Sequence, residues 1–578
     1  MNTNITVGEL FLFSKIKYGV NSKNVPIYEF HPLSPSLPFT KVASTYGKKH
    51  GTQENIYVVV EYDASYEKAN ILEILGPISS PVAGFMAIQI RHLGYTGQLR
   101  SRKNERRVLV DTPVTVNPTE EDLIEENKDI CILATIDPPG CQDIDDAISF
   151  SSVHDTIGVH IADVSSIVKS NSEIDKWFKL QPLTLYRPDG EVFHSLPRTL
   201  STETCSLRPN EIRNVISVFF TIEKNENGDI INVSTKLKES KIRSKAQLTY
   251  DDADQLLRSH NDWKSFATTV EQWNNWLQST KAKEVCESRG HAEDRIAIQL
   301  ALQESREEDN VAKKVSHGGG QCISDSHNMI AFLMIQANAY VANILTQYAK
   351  DTNQYTLLRS HQHNVQSDSA SSTRQIQWAS ACAEYVCTQQ LVKHCALNLS
   401  CYTHFTSPIR RYADVQVHRM LKCYLHSVVS DEMCKENITL LADNLNHYMQ
   451  KHHRVEIEWD WWWNVACKYK KESIHEKKQV AATVIHWSVC ETFGVSILLW
   501  FEDMQRNVWV RAIHPKLMKD IQIRNNDVSL ELISNEMNMH TTFKRGDSVC
   551  VKWWWNIEKG IRGLKFIWIH PVLLTEMY

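Results

Sequence analysis

Long uninterrupted apolar runs are missing from this chain. No run approaches the roughly 18 residues that a membrane span needs, and the stretch Gly494 to Phe501 stops at Glu502. The N-terminus has no cationic stretch followed by an apolar one, so no secretory signal is expected. The 14 cysteines are scattered and form no C-x-x-C. Reduced, buried cysteines in an intracellular, cytoplasmic protein are the expectation. An excess of positive charge is missing too: 63 Lys and Arg stand against 68 Asp and Glu, a net charge of −5. Nucleic acid, if it binds, must use local basic grooves. No H-E-x-x-H or Cys/His ligand spacing occurs around His361, His363, His404, His452 or His453, which argues against a zinc hydrolase.

What is present is ample for a large core. The 578 residues are 42% hydrophobic and 23% charged, an ordinary globular balance, and the length corresponds to about four domains. Residues 1–36 carry no clear pattern. Residues 37–90 read as a small β-barrel, with Ile56 to Tyr62 and Ala69 to Leu75 as strands. Arg91, Arg100, Arg102, Lys103, Arg106 and Arg107 precede an acidic block, Glu120, Glu121, Asp122, Glu125 and Glu126. Adjacent blocks of opposite sign over 91–129 read as a solvated linker, or as a phosphate contact at the mouth of a groove. Ile132 to Ile136, Ala147 to Phe150, Gly158 to Val164 and Val215 to Ile222 read as strands. Met329 to Tyr348, Asp414 to Val428 and Ile438 to Lys471 read as helices. Residues 478–570 return to short strands and read as a second small barrel.

The segment Thr135-Ile-Asp-Pro-Pro-Gly-Cys-Gln-Asp-Ile-Asp-Asp-Ala147 places Asp137, Asp143, Asp145 and Asp146 between two strands. Pro138, Pro139 and Gly140 predict a tight turn that folds Asp137 back toward the other three. Asp143 and Asp145 share one face of an extended stretch, and no Lys or Arg lies inside the segment. Carboxylates this close raise one another's pKa or require a cation, and hard oxygen donors suit Mg²⁺ or Mn²⁺. An acidic surface loop is the plainer reading. A calcium loop is disfavoured because the EF-hand spacing is missing. A second segment, Tyr402-Thr-His-Phe-Thr-Ser-Pro-Ile-Arg-Arg-Tyr412, sets Arg410 and Arg411 between a Pro-containing turn and a helix start. That is a phosphate-binding arrangement. A buried arginine network with Asp414 as partner is the structural alternative.

Together the two segments resemble the hallmark motifs of the RNase II / RNase R / Dis3 (RNB) family of exoribonucleases. Val159-His-Ile-Ala-Asp-Val164, Leu196-Pro-Arg-Thr-Leu-Ser201, Cys205-Ser-Leu-Arg-Pro209, Ile242-Arg-Ser-Lys-Ala246 and Leu358-Arg-Ser-His361 match in the same order. The resemblance covers roughly 40–570 and is most specific over 130–425. It implies an α+β fold: a mixed α/β RNB catalytic domain (130–475) flanked by small OB-type β-barrels. These are a cold-shock-like barrel (37–90) and an S1-like barrel (478–570). It implies Mg²⁺ held by Asp137, Asp143, Asp145 and Asp146, with Asp145 and Arg410 catalytic. It also implies RNA contacts from Tyr186, Tyr250, Arg410 and Arg411. The implied activity is 3′→5′ processive hydrolysis of single-stranded RNA to nucleoside 5′-monophosphates by a monomeric unit away from membranes. The rival is an RNA-binding protein with weak nuclease activity on the same scaffold. Its support is one departure: where the family has a Glu-Glu pair, this chain has Ala331-Phe332.

Two tryptophan clusters complete the reading. Trp459, Trp461, Trp462 and Trp463 lie on a helix and read mainly as packing. Trp553 and Trp555 share one face of a strand, where packing and base stacking are both open.

Overall fold

Strand β4 (Ile56–Tyr62) of the N-terminal sheet is almost entirely buried because both of its faces are covered. Ile56, Val58 and Val60 join Leu10, Phe30 and Val42 in one core, and Tyr57 points the other way, toward Ala83 and Ala87. In the computed structural model the described residues are 4–13, 18–34, 37–46, 54–63, 68–95, 129–285, 325–361, 383–394, 397–468, 478–490, 494–501, 506–513, 521–525, 529–534, 539–555 and 564–569. They form two bodies, one from Met1–Thr96 with His453–Tyr578 and one from Gly97–His452.

In the first body, β1 (Ile5–Phe11), β2 (Ile27–Pro32), β3 (Thr40–Ala43), β4 and β5 (Ala69–Pro77) form a sheet of order β3-β2-β1-β4-β5. Residues 1–36, patternless in sequence, supply two of its strands. They are short and separated by turns, so alternation has little length in which to show. Helix α1 (Pro81–Leu93) follows. Ser80 caps it by accepting from Ala83 N, Pro81 occupies its first turn, and Gly94 (φ 88°) ends it. A Cβ on Gly84 would meet the Trp462 ring at 2.2 Å, so only glycine admits that indole. Trp459 Nε1 donates to Phe85 O at 2.8 Å and Trp462 Nε1 to Pro81 O at 2.9 Å. Both rings are buried, and they pack as the helical reading expects. The side chains of Trp461, Trp553 and Trp555 lie outside the described residues, as do the charged blocks over 100–126. The C-terminal segment contributes a five-stranded and a three-stranded antiparallel sheet.

The second body is built on a six-stranded sheet. It contains β6 (Ile132–Asp137), β7 (Asp146–Ser151), β8 (Thr156–Ala162), β11 (Ile212–Lys224), β12 (Ile230–Arg243) and β13 (Ala246–Thr249), in the order β12-β11-β8-β7-β6-β13. A short hairpin, β9 (Leu185–Tyr186) and β10 (Val192–Phe193), stands apart from it. Only β13 runs parallel to its neighbour, β6, and its register places Thr249 beside Asp137. Helices α2 (Glu173–Leu180), α3 (Tyr250–Ser259), α4 (Asn261–Val285), α5 (Asp325–Asp351), α6 (Tyr412–Leu425) and α7 (Lys435–Lys468) complete the described helices used below. By length and composition α5 would suffice to cross a membrane. Its row Leu333, Ala337, Val341 and Leu345 is instead buried in the central core, which makes it a core helix.

Candidate active site

Strand β6 delivers Asp137 at its end, and the chain then turns at Pro138-Pro139-Gly140. Cys141 N donates to Pro138 O at 3.1 Å, and Gly140 has φ +82°, a conformation costly for other residues. The loop after the turn is pinned. Ile144 is buried, its N–H donates to Ser206 Oγ at 3.2 Å, and Gln247 Nε2 donates to Cys141 O at 3.0 Å. With Ile144 anchored inward, Asp143 and Asp145 take the opposite side, and β7 begins at Asp146.

The carboxylates meet two other segments. Asp145, only 5% exposed, accepts from Ile409 N at 2.7 Å and pairs with Arg410 Nε at 3.4 Å. Asp143 accepts from Tyr186 Oη at 3.1 Å, and His194 Nδ1 lies 3.8 Å from it. The Cys141 thiol is 3.8 Å from Asp143 Oδ1. Tyr186 reaches this point on the β9–β10 hairpin, whose Arg187–Asp189 pair (2.7 Å) tightens the turn. The hairpin's flank is tied to the arginine loop, with Thr184 N donating to Arg410 O at 3.0 Å.

The two arginines part company. Arg410 lies against Asp145 and donates to Ser407 Oγ at 3.0 Å. Arg411 is buried, with its guanidinium on Asp414 at 3.0 and 3.1 Å. The structural alternative in the sequence thus describes Arg411, and its guanidinium is engaged within the fold. Tyr412 N, at the helix start, donates to Pro182 O, so that N–H is also spent. Tyr250 opens α3 directly after Thr249, Asp137's register partner, and stacks on His327 at 3.8 Å and 8°. Phe332 packs edge-on against Trp273 at 5.0 Å, so one member of the Ala331-Phe332 pair fills core. His363 lies outside the described residues.

Burial, with the charges of Asp145 and Asp143, pushes Asp137 up to about 7. Burial also holds Asp145 well above the usual carboxylate range, while Arg410 and the Ile409 N–H pull it down. Asp137 Oδ2 is buried without a hydrogen-bond partner. Among the described residues no three acidic, histidine or cysteine side chains already converge as a metal site. The donor chemistry still fits a hard divalent cation: clustered carboxylates, mutual repulsion and an orphaned buried oxygen. A proton is what this cluster takes up without one. Folding raises the Asp137 pKa, so its contribution to stability is fully present below the usual carboxylate range and is lost as pH rises to about 7. We therefore expect wild type in EDTA to lose Tm relative to Asp137→Asn over that interval. Stabilisation by added Mg²⁺ should grow over the same interval. Thermal denaturation at stepped pH checks both.

The sequence profile of the RNB domain matches residues 127–381 and 363–427, more than half of the chain. The chain belongs to the RNB-domain family. It is 29% identical to Ribonuclease R of Chlamydia pneumoniae over 427 residues, which is 66% of this chain and 60% of that protein. The chain thus spans less than two thirds of that relative's length. Among solved structures it resembles Mycoplasma genitalium RNase R in complex with ribose methylated single-stranded RNA. The TM-score is 0.66 at 18% identity, covering 98% of this chain and 89% of that one. It also resembles yeast Ssd1, a pseudonuclease, with a TM-score of 0.60 at 17% identity, covering 92% and 68%. At these identities the structural likeness establishes the fold: an RNB domain of mixed helix and sheet accompanied by small sheets of OB type. RNB exoribonucleases are generally dependent on divalent metal. In this RNB domain the sequence singled out Asp137, Asp143, Asp145, Arg410 and Tyr186, and the fold brings them together. Ile409 N–H and Ser407 join them from Arg410's own segment, and His194 from beside β10, though the sequence singled out none of the three individually.

Proposed function

We propose that the chain is a 3′→5′ exoribonuclease acting processively on single-stranded RNA and releasing nucleoside 5′-monophosphates. The observation that carries this reading is Arg410 seated against Asp145, with Tyr186 bonded to the neighbouring Asp143. The family relatives named Ribonuclease R support it. Asp137, Asp143, Asp145 and Asp146 would hold Mg²⁺ (or Mn²⁺), which supplies activation of water and neutralisation of phosphoryl charge. Asp145 and Ser407 orient the Arg410 fork, which binds phosphoryl oxygens as charge builds on them. The Tyr186 hydroxyl, bonded to Asp143, sets the angle of a ring that packs on the last nucleotides without sequence preference. Tyr250 is a second stacking ring, held by His327. Arg411 acts through Asp414 to keep the loop in place and to preserve positive potential for RNA. The N-terminal and C-terminal sheets serve as cold-shock-like and S1-like barrels that precede and follow the 130–475 catalytic domain in the chain. The enzyme works as an intracellular, cytoplasmic, monomeric unit.

The likeness to a pseudonuclease and the Ala331-Phe332 departure favour one second reading, an RNA-binding protein with weak nuclease activity. Retention of all four aspartates opposes it. The deciding assay sizes products from 5′-labelled single-stranded RNA in Mg²⁺ or EDTA, with circular RNA as a control. Stepwise shortening of linear RNA alone, with release of monophosphates and dependence on Mg²⁺, is expected. RNA that is bound but left intact would establish the second reading.

A further inference from the structure

Among the buried polar residues of helix α5, which include Ser326, His327 and Thr346, Asn338 carries an amide that reaches a segment distant in sequence. Asn338 is 2% exposed and lies between Ala337 and Ala339, both also buried. The small neighbours let another chain segment approach the helix closely. That segment is the arginine loop. Asn338 Oδ1 accepts from Phe405 N at 2.8 Å, and Nδ2 donates to Tyr402 Oη at 3.0 Å and Thr406 Oγ1 at 3.3 Å. The backbone N–H can only donate, so it fixes which end of the amide faces Phe405.

We propose that Asn338 is a positioning residue that sets the register of the arginine loop against the carboxylates; this rests on the nuclease reading above. The path is short and continuous. Three bonds from one amide hold 402–406. Ser407 N then donates to Asp414 at 2.8 Å, Ile409 N donates to Asp145 at 2.7 Å, and Arg410 Nε meets Asp145 at 3.4 Å. On the far side, His418 Nε2 bonds Phe405 O at 2.8 Å. Phe405 is therefore gripped at both backbone polar groups, by α5 through its N–H and by α6 through its carbonyl. A shift at Phe405 displaces Ile409 N–H and Arg410 together, because only three residues separate Phe405 from Ile409. Arg410 acts on charge that develops late, so displacement reduces turnover rather than ground-state binding.

The test uses polarity. Asn338→Leu keeps the branched shape, with more bulk, and removes all three bonds. Asn338→Asp keeps an acceptor for Phe405 N–H, and Tyr402 and Thr406 can each turn a hydroxyl to donate to its other oxygen. On full-length protein with Mg²⁺, Asn338→Leu is expected to lower kcat by about 10- to 100-fold with KM within about threefold. Asn338→Asp should recover most of the loss, and adding Tyr402→Phe to Asn338→Asp should remove part of that recovery. Hydrogen exchange should quicken across 402–411 in the Leu variant but not across 339–351, and this readout needs no activity. If the Leu variant does not fold, Tyr402→Phe with Thr406→Val carries the test, with the same fall in kcat expected. Unchanged kcat in a variant that has only lost thermal stability overturns the proposal. Equal kcat losses in the Leu and Asp variants overturn it as well. A wild type that leaves RNA intact while the Leu variant still loosens 402–411 overturns the nuclease reading and leaves the tether standing.

Discussion

Asp145→Asn is expected to abolish RNA hydrolysis while RNA affinity stays within about threefold of wild type. The side chain is buried and holds two partners of different kinds. Its Oδ1 accepts the Ile409 N–H at 2.7 Å, and Asn can keep that bond. Its Oδ2 faces Arg410 Nε at 3.4 Å, and there an amide NH₂ opposes a donor with a donor. The substitution also removes a carboxylate from the cluster, so a divalent cation held there would lose a ligand. On the nuclease reading both losses would fall on the reacting phosphate, and kcat should drop by at least about 10³-fold. The fold should tolerate the change. Burial already holds Asp145 well above the usual carboxylate range, so a neutral side chain suits its surroundings. Single-turnover decay, filter binding in EDTA and a thermal melt together separate these effects. Activity near wild type would sink the assignment of the active site.

Arg410→Lys should act differently from a simple loss of charge. Arginine reaches Asp145 through Nε and Ser407 through Nη2 at once, so the plane of its guanidinium is set by the protein before substrate arrives. Lysine keeps the positive charge as a single point and loses the planar fork. We expect a kcat loss corresponding to roughly 2–4 kcal/mol, with RNA affinity little changed. Affinity would be carried by contacts along the strand, whereas Arg410 would meet charge that grows only at the scissile phosphate. Steady-state kinetics beside equilibrium binding checks the split. Weaker binding with unchanged turnover would reassign Arg410 to substrate positioning.

Much of this protein follows from local pattern. The β-rich runs at Ile132 to Ile136 and Val215 to Ile222 became β6 and β11 because their side chains suit a pleated, buried surface. The apolar run Met329 to Tyr348 became α5 because its buried row recurs every fourth residue. The Pro-Pro-Gly turn and the alternation of Asp143, Ile144 and Asp145 are backbone properties, so the carboxylate cluster could be read from thirteen consecutive residues. Tertiary structure decided the rest. Arg410 and Arg411 are neighbours of one type, and nothing local separates them. One lies on Asp145, 265 positions away, and the other on Asp414, three positions away. Asn338 reads as one of several polar interruptions in an apolar helix, with Gln336, Asn343 and Thr346, and its three bonds to 402–406 exist only after α5 and the loop have packed. Sequence pattern reports which face of an element avoids water. Which buried donor meets which buried acceptor is settled by packing, since an unpaired one costs free energy wherever in the chain its partner lies.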